Sequence, residues 1–128
     1  MEVYFFMIKG TEKGVAHRSA EDEQWQECKA IVSKRDRNMC VLCRIMTAVE
    51  HGQFQRSNPV FLGKIEHAHI ESVGNHVEKT YDPNNVVCLC HTHHQRMDSM
   101  QNPITGKPMK RSDHEEWWAR IKKGAGIE

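Results

Sequence analysis

Two short couples of ligand residues stand out in this chain. The first is Cys40-Val41-Leu42-Cys43 and the second is Cys90-His91-Thr92-His93. Thiolates and imidazoles three positions apart suit a tetrahedral zinc ion, and two such couples close a four-ligand site. Cys88 rivals Cys90 for the third position. Strand alternation points Cys88 and Cys90 to the same side, so periodicity does not separate them. The Cys90-to-His93 spacing repeats that of Cys40 and Cys43, and this favours Cys90. With Cys40, Cys43, Cys90 and His93 all binding, no position stays open for water, so this zinc is expected to be structural.

Histidines are left over. His67 and His69 precede the second couple, His94 follows it at once, and Asn85 lies between. Spare histidines beside a closed site point to a second metal, one that does chemistry. His94 follows His93 on the same predicted helix and so points to a different side. A divalent ion held there by few protein ligands keeps positions open for phosphate and water. Histidine titrates near neutral pH, which suits His69 to the role of general base. Asn85 either holds a backbone turn or orients that base through its amide. His67, His69 and His94 are expected to converge on one hairpin–helix unit.

The elements that must position these groups can be read coarsely. A first helix is predicted over 19–38, capped by Ser19 with Asp22 in capping-box spacing. Trp25, Cys28, Ile31 and Val32 recur at helical spacing as its buried stripe. Residues 44–63 are the least readable stretch, with Val60-Phe61-Leu62 as a short strand. Lys64 to Ile70 reads as a strand carrying Ile65, His67 and His69 on one face. Gly74-Asn75 and Asp82-Pro83-Asn84 mark turns before a second strand, Val86-Val87-Cys88-Leu89. A helix from His91 to about Met97 would bring His94 and Asp98 together at i,i+4 spacing. A last helix starts after Ser112, whose capping box ends at Glu115. It carries Trp117, Trp118 and Ile121 and stops at Gly124.

Composition bounds the rest. A chain of 128 residues with 38% hydrophobic residues is one small domain with a thin core, the kind that needs a staple. Five cysteines make an odd count, which fits a reduced zinc protein better than a disulfide scaffold. Val3 to Ile8 is too short to span a membrane and lacks the flanks of a signal peptide, so a cytoplasmic protein is expected. Lys plus Arg number 18 against 17 Asp plus Glu, so no global field drives non-specific nucleic-acid binding. Bases still cluster at Lys34-Arg35 with Arg37, at Lys107, Lys110 and Arg111, and at Lys122-Lys123. Each cluster alone reads as a solvated face.

Taken together, several segments resemble one family. These are Trp25 to Lys29, Lys34 to Cys43, His67-Ala68-His69-Ile70, and Tyr81 to His94. The chain resembles the HNH endonucleases, of the ββα-metal or His-Me finger class, and in particular small free-standing nucleases of phages and prophages. The resemblance implies His69 as general base, Asn85 as the central asparagine and His94 as a catalytic metal ligand. It implies Cys40, Cys43, Cys90 and His93 as structural zinc ligands. The family places Asp or His just before the base, where this chain has Ala68. Either the ion keeps one fewer protein ligand, or His67 or Asp98 substitutes. A register shifted by two, with Glu66 as ligand and His67 as base, is the other arrangement. Ile70, an apolar residue after His69, favours the first.

The expectation is therefore an α+β domain spanning 1–128. An arm or strand occupies 1–18, a zinc-stapled ββα-metal core 19–98, and a C-terminal extension with one helix 99–128. The core is a hairpin and helix braced by a treble-clef-like zinc knuckle and flanked by helices. The resemblance implies metal-dependent DNA hydrolysis leaving 5′-phosphate and 3′-hydroxyl ends, with Mg2+, Mn2+, Ni2+ or Zn2+ as the catalytic ion beside structural Zn2+. DNA is the partner, with no membrane, and a partner protein or second copy is left open. The competing expectation is a DNA-binding module of the same fold with catalysis weakened or lost.

Overall fold

The computed structural model describes the backbone of residues 12–58 and 63–127, and the side chains of residues 22–58 and 63–127. Val3–Ile8, within the expected N-terminal arm or strand, and the expected strand at Val60–Leu62 lie outside the described residues. The elements are α1 (Glu12–Asp36), α2 (Val41–Ile45), α3 (Ala48–Ser57), β1 (Ile65–His69), β2 (Val86–Cys90), α4 (His91–Asp98) and α5 (Arg111–Ala125). No described helix is long and apolar enough to cross a membrane.

The centre is a two-stranded antiparallel hairpin. Its register pairs Ile65 with Cys90, His67 with Cys88 and His69 with Val86. Alternation then gives the hairpin two faces. One carries Ile65, His67, His69, Val86 and Cys88 and is covered by α1 through Cys28 and Val32. The other carries Glu66, Ala68, Val87 and Leu89. Ala68, Val87 and Leu89 join the main core with Leu42, Phe54, Met97, Trp118 and Ile121.

Helix α1 also closes the outer edge of β2. Asp36 Oδ2 accepts from the Cys88 amide at 2.9 Å, and Arg35 donates to the carbonyls of Pro83 at 2.8 Å and Val86 at 2.7 Å. An open strand edge is thereby paired with side chains instead of solvent. The helix then stops in a Schellman turn, with Asn38 N donating to Ser33 O at 2.9 Å. Arg37 and Asn38 take left-handed φ values of 59° and 55° and turn the chain into Cys40.

Several sequence expectations need correction. The first helix begins at Glu12, not after Ser19, whose backbone is helical and so cannot be an N-cap. Ile31 is 54% exposed, because the buried face runs through Cys28 and Val32. Part of the unreadable stretch is α3, opened by a capping box in which Thr47 and Glu50 exchange bonds of 3.0 and 3.1 Å. The last helix is capped at Lys110, and Ser112 makes no capping box. It ends at Gly126, with φ 77°, and not at Gly124. Gly124 lies inside α5, where an added Cβ would sit 2.5 Å from Ile45 Cγ2, so glycine there permits α2 and α5 to touch.

Candidate metal centre and active site

The first couple sits at the start of α2 and the second at the junction of β2 and α4. Cys40 caps α2, its Sγ accepting from Cys43 N at 3.4 Å. The β2 strand delivers Cys90, and one turn of α4 brings His93 back over it. His93 Nδ1 lies 3.4 Å from Cys40 Sγ, 3.5 Å from Cys43 Sγ and 3.4 Å from Cys90 Sγ, and Cys43 and Cys90 sulfurs are 4.0 Å apart. Ligands around a tetrahedral zinc stand about 3.5–3.8 Å from one another, so the donor set fits the ion. Cys40, Cys43, Cys90 and His93 thus form a Cys3His cluster, buried except for the half-buried Cys43, that could hold zinc. Phe54 stacks on the His93 ring at 4.2 Å and fixes its plane. Cys88 falls on the α1 face, away from the cluster. Burial first, then the Asp36 charge, pushes its thiol up to about 11, so it is a neutral core residue.

His94 faces a different neighbourhood from His93, as expected. Its Nδ1 lies 2.8 Å from Glu66 Oε1 and its Nε2 3.1 Å from Asp98 Oδ2. Glu66 Oε2 reaches His91 Nδ1, also at 2.8 Å. The bond to Asp98, seconded by that to Glu66, pushes the His94 imidazole up to about 8 against the opposing effect of burial. Burial works against the Glu66 carboxylate, yet His91 and His94 together hold it below the ordinary range. An imidazole between two carboxylates is a setting that favours a cation, whether a proton or a metal. The two carboxylates meet opposite nitrogens of the ring, so an ion at either nitrogen would have one carboxylate beside it, a donor pair of the type that suits a hard or borderline divalent ion.

His69 ends β1 on the α1 face. Its Nε2 lies 2.9 Å from the Thr80 carbonyl oxygen. A carbonyl can only accept, so Nε2 carries the proton and the neutral ring leaves Nδ1 as its basic atom. The loop that supplies Thr80 is held by Asn85. Its Oδ1 accepts from Glu71 N at 2.8 Å, and its Nδ2 donates to Glu71 O at 3.1 Å and Lys79 O at 3.3 Å. Asn85 is buried, and of the two expected roles it takes the first, pinning a backbone turn.

His67 is engaged elsewhere. Its Nε2 lies 2.8 Å from Ser33 Oγ, and burial, then the Lys29 charge, lowers its pKa. The structure therefore does not bring His67, His69 and His94 together. His67 and His69 lie against α1, whereas His94 meets Glu66 on the opposite face. Ala68 shares the Glu66 face but is wholly buried in the core.

Residues 40–102 match a family model described as HNH endonuclease. The segment that carries the cysteine couples, the hairpin and α4 thus matches the HNH endonuclease family. No curated protein and no solved structure matches the chain.

Glu66 is the residue that sequence reasoning undervalued, having given it a part only in the shifted register. Two positions before Ala68 on the strand, it shares that residue's face, and this alternation was the available signal. His91 and the Thr80 carbonyl carried no signal at all, since their roles depend on how α4 and the loop pack against β1.

Proposed function

We propose that this protein is a metal-dependent DNA endonuclease that leaves 5′-phosphate and 3′-hydroxyl ends. The observation that carries the reading is His94 bracketed by Glu66 and Asp98 at 2.8 and 3.1 Å, on the hairpin–helix unit of the segment that matches the HNH family. His94 Nδ1 and Glu66 would hold the divalent ion, with Asp98 on Nε2 orienting the ring, and Glu66 would stand in for the ligand that Ala68 cannot be. The ion, when bound, supplies charge stabilisation for the phosphorane-like transition state and the leaving oxygen. His69 Nδ1 takes the proton of the attacking water, while the Thr80 carbonyl stabilises the imidazolium that results. The water oxygen bonds to phosphorus in line, and the 3′ oxygen leaves. Five unpaired cysteines fit a reducing, cytoplasmic setting.

A second reading draws on two observations. Ala68 cannot ligate, and His69 and His94 lie on opposite hairpin faces. It makes the chain a zinc-stapled DNA-binding module of the same fold without turnover. Plasmid nicking separates the two. The nuclease reading expects nicked product that needs added Mg2+ or Mn2+ and disappears in a mild chelator that spares the zinc. DNA binding with no nicking under any divalent metal would support the module.

A further inference from the structure

The indole of Trp25 is stacked on the imidazole of His69, with ring centroids 5.2 Å apart and planes 15° from parallel. The same indole meets His67 edge-on at 6.3 Å, and Lys29 sets its Nζ 5.5 Å from the indole centroid. Trp25 belongs to α1, which lies outside the 40–102 segment that the family model matches.

Three constraints meet at His69. The β1 backbone carries its Cα, the Thr80 carbonyl holds Nε2, and the indole covers one ring face. A single hydrogen bond to Nε2 leaves the ring free to roll about the bond it makes. A flat aromatic surface laid nearly parallel to the ring removes that rotation, because rolling would break the offset stack. The direction of Nδ1 is then set by the tryptophan. General-base catalysis is sensitive to such aim, since small misplacements of a reacting atom cost large factors in rate.

We propose that Trp25 is a positioning residue for His69, which makes α1 part of the active site as well as a cover for the hairpin. The proposal rests on the reading of His69 as the base. The competing role for Trp25 is purely structural, since it also packs against the apolar cluster of Cys28, Val32, Val86 and Cys88. A leucine could serve that role but could not present a flat face.

The test uses the full-length, zinc-loaded chain with Trp25→Leu, Trp25→Phe and His69→Ala. Single-turnover cleavage and DNA affinity are measured separately, and the His69 ring protons are followed by NMR. Trp25→Leu should lower the single-turnover rate about tenfold to a hundredfold at unchanged DNA affinity, and Trp25→Phe should recover most of it. The His69 ring protons should show an upfield ring-current shift that Trp25→Leu removes and Trp25→Phe keeps. A Trp25→Leu protein that cleaves like wild type beside an inactive His69→Ala overturns the role of Trp25 alone. Wild-type His69 protons without the shift also overturn it, whether or not any variant folds. Wild-type cleavage by His69→Ala overturns the base assignment, and the positioning role falls with it.

Discussion

Glu66 Oε1 lies 2.8 Å from His94 Nδ1, joining the middle of β1 to the first turn of α4 across the face of the hairpin that α1 does not cover. The contact gives the hairpin–helix unit an acid beside the histidine proposed as metal ligand even though Ala68 supplies none. It also makes Glu66 the group whose removal most directly tests the proposed second metal site.

Glu66→Gln and Asp98→Asn should each weaken binding of an added divalent ion by about tenfold or more, the scale seen when groups around a metal site are lost. Electron paramagnetic resonance titration with Mn2+ on the zinc-loaded protein measures this without relying on cleavage. Unchanged Mn2+ affinity in both variants would show that His94 and its two carboxylates form only a proton-sharing network.

His69→Ala should keep its zinc and its fold yet lose about two to four orders of magnitude in cleavage rate, the usual scale for a general base. His67→Ala should lose less rate but melt at lower temperature, since it gives up the Ser33 contact between β1 and α1. An inactive His67→Ala beside an active His69→Ala would establish the register shifted by two, with Glu66 and His67 in the metal-ligand and base positions.

Zinc should supply much of the folding free energy of so thin a core, on the order of several kcal/mol. Cys40→Ser and Cys90→Ser should lose the metal and unfold or precipitate. Cys88→Ser should bind one equivalent of zinc as before, because its thiol sits with Cys28 and Val32 on the other face. Zinc content by elemental analysis, read beside a thermal melt, decides it, and a zinc-free but folded Cys88→Ser would reverse the ligand assignment.

Asn85→Ala removes three side-chain bonds that pin the 71–79 loop, and leaves the Glu71 amide and carbonyl without them. The cost should be about 1–3 kcal/mol for stranded buried groups. Because the loop also presents Thr80 O to His69, cleavage should fall by more than the stability loss explains. Hydrogen exchange at the Glu71 amide checks the first part, and protection there equal to wild type would refute it.

Much of this was present in the order of residues. The two ligand couples are local: three-residue spacing at a helix start and at a strand–helix junction brings donors together almost regardless of the surroundings. The β1 and β2 strands and α4 followed from alternation and from turn residues, which are equally short-range. The pairing of His94 with Asp98 needed only the helical repeat. The Thr47-x-x-Glu50 capping box announced α3 and was overlooked, because no apolar stripe followed it: Phe54 is the one buried hydrophobic residue on that helix.

What could not be read was decided by packing between distant segments. Gly124, the expected helix stop, and Gly126, the actual one, look alike in sequence. Only the close approach of Ile45 shows that the first is there for contact and the second for its left-handed backbone. Strand alternation already placed His69 opposite Glu66, but nothing local says which face receives α1 and which receives the His94 side of α4. That choice depends on burying Val32 and Cys28 against Val86 and Cys88, and Leu42, Trp118 and Ile121 against Val87 and Leu89. Hydrophobic burial is non-directional and acts between segments far apart in the chain, so it leaves no spacing to read. It seats Trp25 on His69 and Glu66 on His94.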